Sequence, residues 1–466
     1  MDEKKLNDIE SAYVKLIVKP FDFKNVIKHL EDLEIAFEKI HYFSDVKRIK
    51  IKSEEVDKLH DLAITIAPLP IVTHFGNTVE DGDQTEIKRA SEHPLKIRLG
   101  LLDTGIKSQY QYQEFIHQEI IPELKDQALN LSHGTFIAGQ WLYQREPFLA
   151  LGASIYAFPI VTTKKETEDI ILKRLIKIVA NNPQIKVWNI AISVSQEIEE
   201  KQFSDMALVL DYLQREYDCI ISKTVANNFT FLDENFKMHQ GADSVEALTV
   251  GSINRHNHKR SAFSRIGPGP LNINKPDLVY YGGDVHKNEE HPITKASFQL
   301  DGIKSLAATT GLRKACGSSF ASPIVSKVAA EVWASMPQLT RHEVKAYLIH
   351  NSYATEHHQE IGFGKLAATQ AILNSINRIY KQRLRLVENE IYQLSLNPKF
   401  TYQITLVSDP QLDFSDPKNY IQSWLAIKEY DESKSPHKSL QIKHGDTLTI
   451  QCQGGTTNAI LLVEQI

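Results

Sequence analysis

The stretch Ile97–Ile106, IRLGLLDTGI, is an apolar run that ends in a carboxylate and then turns at a glycine. Short apolar runs of the same kind recur at KVWNIAISV (186–194), DCIISKTVA (218–226) and EALTVGSI (246–253). Between them lie stretches of helical period, EDIILKRLIKIVANN (168–182) and FSDMALVLDYLQREY (203–217). Strands buried on both faces and alternating with amphipathic helices predict an α/β fold, a mostly parallel sheet flanked by helices. In such sheets the chemistry gathers beyond the carboxyl ends of the strands. Asp103 stands at such an end.

Outward from this core the pattern changes. Toward the N-terminus, YVKLIVK (13–19), EKIHYF (38–43), VKRIKIK (46–52) and AITIAPLP (63–70) read as strands. FKNVIKHLEDL (23–33) and SEEVDKLHDL (53–62) read as helices, which makes a βαββαβ, ferredoxin-like α+β unit over residues 1–72. Residues 73–95 are polar and turn-rich, a linker, and the α/β domain is expected over 96–375. The mixed charge of INRIYKQRLRLVENEIYQL predicts a connecting helix over 376–395, followed by a small β-domain over 396–466.

The chain has 466 residues, enough for several domains, and its net charge of −5 gives no general attraction to nucleic acid or to an anionic membrane. The charged opening MDEKKLNDIE lacks the apolar core of a secretory signal, so a cytoplasmic protein is expected. Cys219, Cys316 and Cys452 are odd in number and widely spaced, which fits reduced thiols better than a disulfide framework or a zinc site. The histidines of NRHNHKR (254–260) have no matching ligands and read as a solvated loop. No Asp-rich loop of calcium spacing stands out, and structural calcium stays open.

Three short segments could carry chemistry: DTG at Asp103, HGTFIAG from His133, and GSSFASP, which holds Ser318, Ser319 and Ser322 ahead of a helical run. Each has an ordinary reading alone, respectively a turn, a residue near a cap and an N-cap serine. Together they supply a carboxylate, an imidazole and a hydroxyl, the groups a serine nucleophile requires. A hydroxyl at a helix N-terminus also meets free backbone N–H groups that favour developing negative charge.

These segments resemble the three signature blocks of the subtilisin-like serine proteases, in that family's Asp, His, Ser order. The resemblance extends through KVWNIAIS, TVANNF, the KPD segment at 275–277 and GFGKLAA at 362–368. It implies an endopeptidase in which Ser319 is the nucleophile, His133 the general base and Asp103 its partner. Asn228 would supply an oxyanion donor, with Asn227 as the competing assignment because the family usually has glycine there. Ala191, Ile192 and Ser193 would line the substrate strand. Residues 1–72 resemble the family's prodomain, which assists folding and blocks the active site with its C-terminal strand, here AITIAPLP or the residues just after it.

No cofactor is needed for that chemistry. The expected partners are a protein or peptide substrate, with neither nucleic acid nor membrane, and the C-terminal β-domain is a candidate surface for a regulatory protein. The formal sequons at Asn130 and Asn228 fall on site segments, where a glycan would obstruct the cleft. Alternatives are a catalytically silent binding scaffold, suggested by Asn227, and an esterase or transpeptidase using the same acyl-enzyme.

Overall fold

A computed structural model describes residues 12–43, 46–59, 64–73, 80–81, 97–107, 113–142, 153–229, 236–287, 298–309, 311–352, 358–443 and 445–466. The N-terminal unit contains β1 (Tyr13–Ile17), α1 (Phe23–Asp32), β2 (Phe37–Phe43), β3 (Val46–Lys52) and β4 (Thr65–Pro68). Its antiparallel sheet has the order β2-β3-β1-β4. The period of two along β1 and β3 sends Leu16, Ile49 and Ile51 onto Val26 and Leu30 of α1. The same period sends Lys15 and Arg48 to the opposite face, where both are almost fully buried.

The second expected helix of this unit is instead a 3-10 turn over Ser53–Leu59, and residues 60–63 lie outside the described residues. Val56 and Leu59 are three apart, which aligns them on one face of a helix with three residues per turn. Most of the expected linker also lies outside the described residues. Two short strands are described here, β5 (Ile71–Thr73) at the start of the linker and β6 (Glu80–Asp81) within it.

The central body begins with β7 (Ile97–Asp103), β8 (Ile116–Gln118), α2 (Ser132–Leu142), β9 (Ala153–Pro159), β10 (Glu166–Thr167) and α3 (Glu168–Asn181). It continues through β11 (Val187–Ile190), β12 (Ser193–Val194), α4 (Asp205–Tyr217), β13 (Ile220–Thr224), β14 (Leu248–Ile253) and β15 (Leu278–Tyr281). Seven parallel strands run in the order β15-β14-β13-β11-β7-β9-β8. The chain moves from β7 outward to β8 and β9, then returns across β7 to β11. The crevice beyond the carboxyl ends of β7 and β11 is therefore the topological switch point of the sheet.

Two antiparallel pairs follow, β16 (Asp284–Lys287) with β17 (Phe298–Asp301) and β18 (Ile303–Leu306) with β19 (Leu312–Ala315). They lead to α5 (Ser318–Ser335), a helix buried along nearly its whole length through the core. Its apolar residues pack with those of α2 and the sheet, including Phe136, Trp141, Phe320 and Val325. Next comes α6 (Arg341–His350), which starts in a capping box between Thr340 and Glu343.

The expected connecting helix over 376–395 is absent. In its place the chain forms a short 3-10 turn at Ile376–Arg378, then β20 (Tyr380–Leu386) and β21 (Ile391–Ser395). Leu384 and Leu386 alternate with Arg383 and Arg385, so the buried side chains follow a period of two that the charge pattern concealed. These strands belong to the C-terminal β-domain with β22 (Thr401–Asp409), β23 (Ser423–Ile427), β24 (His437–Lys443), β25 (Thr447–Gly454) and β26 (Thr457–Gln465). Its two sheets, β20-β26-β22-β24 and β21-β25-β23, enclose a core that includes Ile404, Leu406, Leu425, Ile450 and Leu461.

Candidate active site

Asp103 ends β7 and is wholly buried. The next two residues turn the chain back, with Gly105 at φ +90°, a conformation that side chains disfavour. Helix α2 then starts directly on that turn. A Cβ at Gly134 would lie 2.3 Å from the carbonyl oxygen of Gly105, so only glycine permits this approach. The Gly134 N–H donates to Thr104 Oγ1 at 3.0 Å. This glycine-on-glycine contact sets His133 against Asp103, with His133 Nδ1 2.7 Å from Asp103 Oδ1.

The imidazole is partly buried. Burial by itself would lower its pKa, but the charge and hydrogen bond of Asp103 outweigh that, and His133 sits above the ordinary imidazole value.

Ser319 comes from the opposite side, in the first turn of α5, and is 5% exposed. The flanking serines have structural partners. Ser318 Oγ lies 2.6 Å from Thr224 Oγ1, and Ser322 Oγ donates to Asn189 Oδ1 at 2.8 Å. Ser319 Oγ donates to the Ala191 carbonyl at 3.0 Å. The fold thus joins Asp103 and His133 directly, while the Ser319 hydroxyl points to the carbonyl beside them. Pro323 has no N–H to offer the Ser319 carbonyl four residues earlier, which loosens the first turn of α5 around this side chain.

Asn227 and Asn228 follow β13. Asn227 Oδ1 accepts from the Ser318 N–H at 2.8 Å and from Ser318 Oγ at 2.9 Å. It satisfies an N–H in the first turn of α5 that Gly317, with no side chain, cannot cap. Asn228 is buried, and its N–H donates to the Phe263 carbonyl at 2.8 Å. Asn227, where the family usually has glycine, is not among the residues of positive φ. The left-handed residue is its neighbour Ala226, at φ 75°, a conformation that costs a non-glycine residue about 1–2 kcal/mol.

Ala191 and Ile192 follow β11, and Ser193 opens β12. Ile71–Thr73 of the chain itself runs beside them. β5 lies antiparallel between β10 and β12, with Thr73 opposite Ser193 and Val72 opposite both Val194 and Glu166. The Ser195 N–H donates to the Ile71 carbonyl at 2.9 Å, and the Glu168 N–H to the Pro70 carbonyl at 2.8 Å. The second wall, Glu166–Thr167, escaped the sequence reading because two residues in a polar stretch carry no period. Lys223 was also missed. It is fully buried, and its Nζ donates to the Ile192 carbonyl at 2.9 Å and the Thr224 carbonyl at 3.1 Å, while burial brings its pKa down to about 7.

The three cysteines are free and buried, and burial pushes the Cys219 and Cys316 thiols up to about 12. His256 of the NRHNHKR loop is exposed, and His258 Nε2 lies 2.9 Å from Tyr281 Oη. A separate group, Glu246, His342 and Asp409, brings ligand-type atoms within 4.8 Å of one another. Arg215 already reaches Glu246 at 2.7 Å and Asp409 at 2.5 Å, so guanidinium charge occupies the place of a cation.

A strand-end carboxylate that holds an imidazole from the start of α2, together with a serine in the first turn of α5, supplies the groups of a serine hydrolase on an α/β sheet. The chain belongs to the subtilase family of serine proteases, whose pattern it matches over residues 96–374. It is similar to the subtilisin-like protease SBT6.1 of Arabidopsis thaliana, at 22% identity over 261 residues. The match spans 53% of this chain but only about a fifth (22%) of that relative's length.

Among solved structures it shares its fold with the epidermin leader peptide processing serine protease of Staphylococcus aureus. The TM-score is 0.53 at 14% identity, covering 78% of this chain and 98% of that one. The patellamide maturation protease PatA gives a TM-score of 0.45 at 19% identity, covering 60% of this chain and 98% of that one. Among the described residues no helix is long and apolar enough to cross a membrane.

Proposed function

We propose that this chain is an endopeptidase that cleaves peptide bonds through an acyl-enzyme on Ser319. Rotation of Ser319 Oγ from the Ala191 carbonyl toward the free imidazole nitrogen starts the reaction. His133 takes the hydroxyl proton as Oγ attacks the scissile carbonyl, then returns it to the leaving amine. Asp103 holds the imidazole orientation and stabilises its protonated form. A water then repeats the sequence and releases the acid product.

The oxyanion is received by the Ser319 N–H, at the positive end of α5, and by the Asn228 side-chain amide. Asn227 is the weaker candidate because its carbonyl is turned onto Ser318. What supports the whole reading is one contact, His133 Nδ1 to Asp103 Oδ1 at 2.7 Å, in the crevice that also holds Ser319.

A substrate would lie extended between β10 and β12, the place that Ile71–Thr73 takes. The N-terminal unit therefore restrains the enzyme, which suits limited processing of few protein or peptide substrates. We infer an intracellular setting, supported by three buried unpaired thiols and by a sequon on the buried Asn228. No cofactor enters these steps.

Incubating the chain with a peptide library, beside Ser319→Ala, tests this reading. Internal cleavage of peptides by the wild type alone is expected. Folded wild type that cleaves no peptide, even after Val72→Asp unseats β5, would return the chain to the scaffold reading.

A further inference from the structure

The N-terminal unit rests on α3 and α4 through buried charge. Lys15 Nζ reaches Glu168 at 3.1 Å and Asp205 at 2.8 Å, and Arg48 Nη2 reaches Asp205 at 2.7 Å. A second attachment comes from the far end of the chain. Between β22 and β23 the C-terminal domain sends out an excursion, residues 410–422, that folds back on itself. Asp413 N–H donates to the Tyr420 carbonyl and Gln422 N–H to the Gln411 carbonyl, both at 2.8 Å.

The apolar side chains of this excursion do not join their own domain's core. Tyr420 and Ile421 are buried, with Leu412 and Phe414 beside them, in the cluster formed by α3, α4 and the N-terminal residues Ile40, Tyr42 and Phe43. The excursion is rooted on α4, where Arg215 donates to Asp409 Oδ1 at 2.5 Å and the Pro410 carbonyl at 2.8 Å. Farther out, Phe203 N–H donates to the Pro417 carbonyl at 3.0 Å, and Tyr420 Oη donates to Asp211 Oδ2 at 3.0 Å.

At its tip the excursion touches the N-terminal unit itself. Phe43 stacks on Tyr212 of α4 with ring centroids 3.9 Å apart, and Phe414 meets Phe43 edge-on at 5.4 Å. Lys418 Nζ donates to Thr65 Oγ1 at 3.3 Å. The socket for Phe43 thus has two owners: the central body supplies the stacking face, and the C-terminal domain supplies the edge.

We propose that the 410–422 excursion completes the docking surface for the N-terminal unit, so that the C-terminal domain governs how readily that unit leaves the crevice. This rests on the reading above that the unit restrains the enzyme. The surface suits one partner, a small sheet that presents Lys15, Arg48 and Phe43 on one face. Held only by α3 and α4, the unit would keep its ionic contacts and lose part of its aromatic socket.

Hydrogen exchange on full chains carrying Ser319→Ala, which prevents self-cleavage, tests the proposal without using proteolysis. Phe414→Ala should speed exchange of the β1 and β3 amides about tenfold, the scale of one aromatic contact plus its buried area, and leave β7, β22 and β26 unchanged. Phe43→Ala removes that contact from the other side together with the stack on Tyr212, so it should have the larger effect, and the double variant should exchange little faster than Phe43→Ala alone.

Unchanged β1 and β3 exchange in Phe414→Ala, or fully additive effects in the double variant, would overturn the proposal. If Phe414→Ala also exposes β22 and β26, Phe414→Leu decides: with β22 and β26 protected, faster β1 and β3 exchange than in the parent is expected, and parental exchange there would count against the proposal. A chain that cleaves no peptide would sink the protease reading while these exchange rates still judge the docking surface.

Discussion

The two ends of the crevice are built differently. At one end the packing of Gly134 on Gly105 fixes the Asp103–His133 pair, and nothing in that contact depends on the N-terminal unit. At the other end, between β10 and β12, three residues of the chain's own N-terminal region complete the sheet. The carboxylate–imidazole pair is assembled by short-range packing, whereas β10 and β12 are joined by a strand from outside the central body, the one to which the proposed function assigns restraint. Activity and restraint should therefore respond to separate sets of substitutions.

The largest effects fall at the fixed end. Ser319→Ala or His133→Ala should lower peptide hydrolysis by about 10⁶-fold, the size of the effect in subtilisin, with thermal stability nearly unchanged. Asp103→Asn should cost about 10⁴-fold and also move the pH profile. His133 must be neutral to act as base, so activity falls as pH drops through its pKa, which Asp103 holds above the ordinary 6.5. Removing that carboxylate should shift the acid limb to lower pH. An unmoved limb would mean that another group controls it.

Asn228→Ala should reduce kcat by about 10²- to 10³-fold with little change in KM. Asn227→Gly should leave most activity and cost about 1 kcal/mol of stability, read by denaturant unfolding, because Ser318 loses its acceptor. If Asn227→Gly proves the more damaging to kcat, the two assignments exchange.

The smallest effect belongs to the end between β10 and β12. Val72 is buried, and a carboxylate at that position resists burial. Val72→Asp should therefore raise the rate at which a small peptide substrate is cleaved by about tenfold without changing the pH profile.

What the sequence revealed follows the same division. Asp103, His133 and Ser319 stand out in the sequence only as a set, through their resemblance to the family's signature blocks, since each segment alone reads as a turn or a cap; the structure joins Asp103 to His133 and places Ser319 in the first turn of α5. The parallel sheet was legible because strands buried on both faces must be apolar. The strands β20 and β21 are hidden by arginines that alternate with Leu384 and Leu386, since mixed charge also reads as a helix face. The burial of Lys15, Arg48 and Lys223 was illegible too, since lysine and arginine are ordinarily at the surface. Their partners lie more than a hundred residues away for the first two, and in a backbone carbonyl for the third.

A fluorophosphonate probe, applied to the full chain and to Val72→Asp and followed by peptide mapping, identifies the nucleophile. One adduct is expected, on Ser319, formed faster in Val72→Asp and absent from His133→Ala. Folded protein that takes up no probe in either form, or an adduct on Ser318 or Ser322 instead, would contradict that expectation.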